Sequence, residues 1–200
     1  MSDTRDKNIE FNAVSPTEFT QEYFQAMSDA QKSMDLSDLP EIIKVIQQTI
    51  DSGSTVYSMG NGGSSAIADH LVCDFTKGCY TDNSKLKSFS LNSNTPLFTA
   101  ISNDLSYKES FSKQLEYYLD DNDVILLISS SGNSENIISA IDYANQRGIK
   151  SITLTGFDGG DAKVKSSLNI HVSIDNYGII EDIHQSLVHV ISQFVYLNNK

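Results

Sequence analysis

The sequence predicts one α/β domain built on a parallel sheet covered on both faces, preceded by a helical hairpin. Three observations predict it. From residue 55 onward, short apolar runs alternate with stretches of helical periodicity, the pattern of strands joined by helical crossovers. One run, Val124 to Ile128 (VILLI), is apolar without alternation, as a strand buried on both sides must be. Two junctions that follow such runs, GNGGSS at Gly60 to Ser65 and SSSGNS at Ser129 to Ser134, consist wholly of glycine, asparagine and serine.

Residues 1–14 read as a polar lead-in, and residues 15–200 as a single domain that includes N-terminal helices over 15–53. Ser15-Pro16-Thr17-Glu18 is a capping box with proline at the first helical position, so a helix follows, carrying Phe19, Tyr23 and Met27 at helical spacing. A second helix begins near Pro40, with Ile42, Ile43, Val45, Ile46 and Ile50 on its apolar face, and Ser52-Gly53 ends it. The predicted strands are Thr55–Met59, Leu86–Leu91, Asp123–Ile128, Ser151–Thr155 and Leu168–Val172. Helices are expected over 64–77, 95–103, 107–119, 134–147, 158–166 and 179–197.

Composition excludes several classes of function. The net charge of −12, with no cluster of Lys and Arg, argues against nucleic acid as a partner, because phosphate backbones are bound by such clusters. No apolar run approaches the ~20 residues of a membrane span. The N-terminus has neither the apolar core of a signal peptide nor transit-peptide character, so a cytoplasmic location is expected. Cys73 and Cys79 are spaced for neither a zinc pair nor a redox dithiol and read as one packed thiol and one loop thiol.

In a doubly wound sheet, ligands sit beyond the carboxyl ends of the strands. Each glycine- and serine-rich junction occupies such a place. Glycine lets backbone approach a ligand closely, serine hydroxyls donate and accept, and a helix N-terminus adds unpaired N–H groups. Either run alone reads equally well as a turn with an N-cap. Two of them in one parallel sheet favour an anion cradle. Neither carries the lysine of a Walker loop or the glycine spacing of a dinucleotide fingerprint, so a small phosphate ester is expected rather than a nucleotide.

His70 and Asp74 lie four apart on the helix after the first junction, hence on one face. Such a pair holds a metal, works as an acid–base couple, or is a surface ion pair. On the last helix, "EDIHQSLVHVI" carries Glu181, Asp182, His184 and His189. His184 and His189 are separated by about 140° of helical turn and do not point into one place. A histidine among these apolar neighbours also reads as a satisfied core group. His171, inside the last strand, reads as structural or exposed.

The motifs "GNGGS", the following His-x-x-x-acid, "ISSSGNSENIISAI", "ITLTGFDGG" and "EDIHQSLVHVI", in order and in spacing, resemble the phosphoheptose isomerases of the sugar isomerase (SIS) fold group. The likeness runs from about residue 40 to 195. It implies a three-layer sandwich with a five-stranded parallel sheet of Rossmann-like type, assembled as a homotetramer with sites near subunit interfaces. It implies an aldose–ketose isomerase converting D-sedoheptulose 7-phosphate to D-glycero-D-manno-heptose 7-phosphate, the first step toward nucleotide-activated heptose for surface polysaccharide, and one zinc per subunit. Carried over by motif, Asn61, Gly62, Gly63 and Ser64, the Ser129-Ser130-Ser131 run, Ser134, Asn103 and Asp104 contact the substrate. His70, Asp74, Glu181 and His189 fall on metal positions, Asp74 and Glu181 also on substrate positions, and Asp74 and His189 on the proton-transfer pair.

Three residues depart from the family pattern. Asp74 stands where glutamate is usual, and a shortened reach of this order can lower a rate roughly 100-fold. Glu181 stands where glutamine is common. An acidic residue just before the last helix aligns with Gly178, leaving Asp175 as the nearest substitute. Glu181 and His189, eight apart, are separated by about 12 Å along a regular helix, so they reach one metal only through an irregular helix or from different subunits. The fold group also includes members that bind sugar phosphates as regulators or bind a replication initiator without catalysis, and isomerases of other phosphosugars. A binding-only member has no need of His70, Asp74 and His189 together.

Overall fold

A computed structural model describes residue 9 and residues 11–200 of the chain. Most of the lead-in over residues 1–14 lies outside them. Within it, Ile9 and Phe11 pack against the core, and the Ile9 N–H donates to the Asp175 carbonyl at 3.0 Å.

The N-terminal hairpin is α1 (Pro16–Ser33) and α2 (Leu39–Ser52). Ser15 caps α1 by accepting from the Glu18 N–H, while the Glu18 carboxylate accepts from Val14 N–H rather than from Ser15. Gly53 ends α2 in the left-handed conformation, returning N–H bonds to the last turn. The remaining order is β1 (Thr55–Gly60), α3 (Gly63–Cys73), β2 (Lys87–Ser90), α4 (Thr95–Asp104), α5 (Ser112–Tyr118), β3 (Val124–Ser129), α6 (Glu135–Arg147), β4 (Lys150–Gly156), α7 (Gly160–Lys165), β5 (Leu168–Val172) and α8 (Tyr177–Asn199). The five strands pair in parallel in the order β2-β1-β3-β4-β5, with helices on both faces.

The β3 run shows why it is apolar throughout. All six of its residues are buried. Val124, Leu126 and Ile128 join the core under α2, α3 and α8, whereas Ile125 and Leu127 join the core under α5 and α6. Alternate side chains thus serve opposite faces of one strand. Tyr23 ties α1 to α8 by donating its hydroxyl to Asp182 Oδ2 at 2.7 Å; burial and the acceptor raise the phenol pKa.

Three predicted helices differ in the structure. The helix over 64–77 ends as an α-helix at Cys73 and continues as a π-turn over Asp74–Gly78, closed by the Cys79 N–H on the Asp74 carbonyl at 2.9 Å. The wider turn leaves both Phe75 and Cys79 fully buried, a packing demand invisible in local periodicity. Cys79 is therefore the packed thiol, pushed by burial up to about 12, and Cys73 is exposed. The helix over 107–119 is broken into a 3₁₀ turn at Tyr107–Glu109 and α5, because Ser110 and Phe111 are drawn into the interior between them. The helix over 158–166 shrinks to α7, since Gly159 and Gly160 both take positive φ.

Candidate active site

The strand order reverses direction between β1 and β3, so their carboxyl ends open a crevice. Both junctions predicted to cradle an anion arise there. Asn61, Gly62, Gly63, Ser64, Ser129, Ser130, Ser131 and Ser134 line one cavity of about 270 Å³ together with Ile128, Tyr177 and Glu181. Gly62 has φ +56° and ψ −127°, a conformation reserved for glycine, and it turns the chain from β1 into α3. At Gly63 the constraint is space, because a Cβ would meet the Glu181 carboxylate. The Ser130 hydroxyl is buried without a hydrogen-bond partner, leaving a donor free for a ligand.

A polar network fixes the first loop. Asn61 Oδ1 accepts from the Tyr107 hydroxyl at 2.7 Å and from Asn136 Nδ2 at 3.0 Å, and Asn61 Nδ2 donates to Asn136 Oδ1 at 2.8 Å. Asn136 is fully buried and also donates to Ser110 Oγ. The 3₁₀ turn that breaks the predicted helix is what presents Tyr107 to this network. Asn92 closes the other side, its side chain pairing with both the N–H and the carbonyl of Gly60.

The second constellation lies between α3 and α8. His70 Nε2 is 3.1 Å from His189 Nε2, and the rings meet edge to face. Asp74 Oδ1 lies 3.5 Å from His70 Nε2, and Asp74 Oδ2 lies 3.4 Å from His189 Nε2. One ligand atom from each of the three residues lies within 4.8 Å of the others. Asp74 Oδ2 is buried and makes no hydrogen bond, although His189 Nε2 lies 3.4 Å away. Two imidazoles and a carboxylate in this arrangement fit a divalent cation such as zinc.

Not all the residues expected at the site gather there. Glu181 is not part of the His70–Asp74–His189 cluster: α8 is a regular helix across both positions, and Glu181 faces the cradle instead. Burial, and then Asp182, raise its carboxyl pKa. Asn103 and Asp104 lie exposed at the end of α4, hydrogen-bonded to each other and outside the cavity lining. Asp175, opposite the missing acid, is also exposed and away from the cavity. His184 is fully buried; its Nε2 donates to the Thr155 carbonyl at 3.2 Å, which leaves Nδ1 unpartnered. His171 Nδ1 lies 3.1 Å from Thr155 Oγ1, in the structural role expected of it.

Sequence reading missed Tyr107, Asn136, Tyr177 and Gln185. The first three reach the site only through the meeting of elements distant in the chain. Gln185 was legible: it sits four residues before His189, the same spacing that marks His70 and Asp74.

Fold and site together define a sugar isomerase (SIS) domain protein, and the SIS domain family matches residues 19–156. A phosphoheptose isomerase of Helicobacter pylori is 33% identical over 86% of this chain and 91% of its own length. One of Colwellia psychrerythraea is 36% identical over 74% of this chain and 77% of its own. The solved phosphoheptose isomerase of Neisseria gonorrhoeae superposes with a TM-score of 0.80 at 28% identity, covering 90% of this chain and 96% of that one. The chain belongs to the phosphoheptose isomerase family.

Proposed function

We propose that this chain is an aldose–ketose isomerase that converts D-sedoheptulose 7-phosphate to D-glycero-D-manno-heptose 7-phosphate. The observation that carries this reading is a two-ended site on one pair of helices. The N-terminus of α3 and the start of α8 border the phosphate cradle; His70 and Asp74 at the other end of α3, and His189 further along α8, form the acid–base cluster. From Glu181 to His189 is about 12 Å along the helix, a span suited to an extended sugar phosphate.

Backbone amides at Gly62 and Gly63, with the hydroxyls of Ser64, Ser129, Ser130, Ser131 and Ser134, hold the phosphate without a basic side chain. Isomerisation moves a proton between C1 and C2 through an enediol. A base takes the carbon-bound proton, and an acid serves the oxygens. Asp74 and His189 take these roles. A carboxylate has two oxygens, so Asp74 can give one to a cation and keep the other for the proton.

His70, Asp74 and His189 would hold one zinc per subunit, which when bound supplies charge that polarises the substrate carbonyl. The product feeds nucleotide-activated heptose for lipopolysaccharide or capsule. The protein works in the cytoplasm, and no helix among the described residues is long and apolar enough to cross a membrane. Val190, Phe194 and Leu197 are each at least half exposed on α8, which supports assembly into a homotetramer with sites near the subunit interfaces.

The test is NMR observation of the aldose formed from sedoheptulose 7-phosphate by the wild type and by the Asp74→Asn and His189→Ala variants, with their oligomeric state verified. Loss of turnover in both variants is expected. Full activity in both would overturn the roles given to these residues.

A further inference from the structure

We propose that an aromatic cavity at the β2 edge of the sheet is a second ligand site, one for a flat heteroaromatic ring that carries an amino group, such as a purine base. The cavity encloses about 410 Å³, within the roughly 300–1,000 Å³ usual for small-molecule sites. It shares no lining residue with the cradle and none with the His70–Asp74–His189 cluster, so the isomerase chemistry makes no use of it. It exists because the cover of the sheet stops short. The edge strand β2 has four residues, α5 ends at Tyr118 after seven, and Phe89 at this corner stays 58% exposed.

Three rings line the cavity in series. Tyr57 of β1 and Phe89 of β2 are paired across the two strands, with ring centroids 6.3 Å apart and planes at 29°. Tyr118 continues the series from Tyr57 at 6.5 Å and 12°. The Tyr57 hydroxyl donates to the Tyr118 carbonyl at 3.1 Å, which ties the end of α5 to β1. A further flat ring extends such a near-parallel series by stacking on it. A cation is held instead by rings that face it from several directions. No side chain of the lining is charged.

Gln114 selects the amino group. It stands on the cavity wall and is only 1% exposed. Its amide nitrogen donates both hydrogens, to the Leu91 carbonyl at 3.1 Å and to the Ser110 carbonyl at 2.8 Å. Because both partners are acceptors, the nitrogen must face them and Oε1 is turned away. Oε1 accepts from no donor among the described residues, yet it is not sealed from solvent. An occupant that displaces water from this oxygen must supply a hydrogen of its own or leave a buried acceptor unpaired. An amino group on a heteroaromatic ring supplies that hydrogen in the ring plane and leaves the faces free to stack. A purely apolar ring fails the first demand and an ammonium ion the second.

The experiment measures binding of adenosine to the full chain by calorimetry, with purine riboside, which lacks the amino group, as the comparison. Adenosine is expected to bind, and purine riboside at least about fivefold more weakly. Phe89→Ala, a change at an exposed position, is expected to weaken adenosine at least about fivefold, the worth of one stacked base. Saturating sedoheptulose 7-phosphate is expected to leave the adenosine affinity unchanged. The proposal is overturned if adenosine fails to bind at millimolar concentration, if the two nucleosides bind equally, or if the sugar phosphate displaces adenosine, which would place the nucleoside in the cradle. Sedimentation of the wild type and of Phe89→Ala supplies a further check. A smaller assembly in the variant would show that a second copy of the chain covers these rings, and would also overturn the proposal.

Discussion

Replacing His184 by glutamine is expected to remove a defined part of the protein's acid sensitivity. His184 is fully buried on α8 and donates to the Thr155 carbonyl, so the imidazole sits neutral with no solvent to share a charge. Burial lowers its pKa from 6.5 to about 4. Because the folded value lies below the unfolded one, the unfolded chain takes up the proton first as pH falls. The stability involved is intact above 6.5 and is lost progressively toward 4. Linkage with these two values gives a loss of about 2 kcal/mol between about pH 7.5 and about pH 5. Glutamine keeps an N–H for Thr155 but has nothing to titrate. The assay is urea unfolding of both proteins across that range at one fixed protein concentration, since assembly shifts apparent stability. The wild-type curve is expected to fall by about 2 kcal/mol more than that of the variant. Parallel curves would refute the reasoning, because other titrating groups, His171 and the metal cluster included, are common to both.

Three further outcomes are expected. Glu181→Gln raises the melting temperature near pH 8, and the gain vanishes toward pH 4. The raised carboxyl pKa means that native stability is fullest below 4.5 and is lost as pH climbs through the folded value; melts at the two ends of that range check this. Ser130→Ala removes the unpartnered buried hydroxyl of the cradle and is expected to raise KM by about tenfold or more, the worth of a hydrogen bond to a charged group, with little change in kcat. Steady-state kinetics with the heptulose phosphate decide it. Tyr107→Phe frees one of the bonds on Asn61 Oδ1 and is expected to raise KM while leaving metal affinity unchanged, because the network touches only the cradle. Paired kinetic and zinc titrations separate the two ends of the site.

Much of this protein was determined by the sequence alone. Periods of two and near four place the strands and helices. The unbroken apolarity of Val124 to Ile128 marks the central strand because both of its faces are covered. The composition of residues 60–65 and 129–134 marks the cradle because only glycine and small polar residues let a chain turn and still offer donors. The i,i+4 spacing of His70 and Asp74 is a local fact of helix geometry. Tertiary structure decided what depends on elements far apart in the chain. That the Gln185 side chain lies beside His189 while Glu181 faces the cradle depended on the straightness of α8. The burial of Phe75 and Cys79 turned the end of α3 into a π-turn, and the burial of Ser110 and Phe111 broke a helix and brought Tyr107 to Asn61. Local spacing determines which side chains share a face; only the packing of one element on another determines what that face meets.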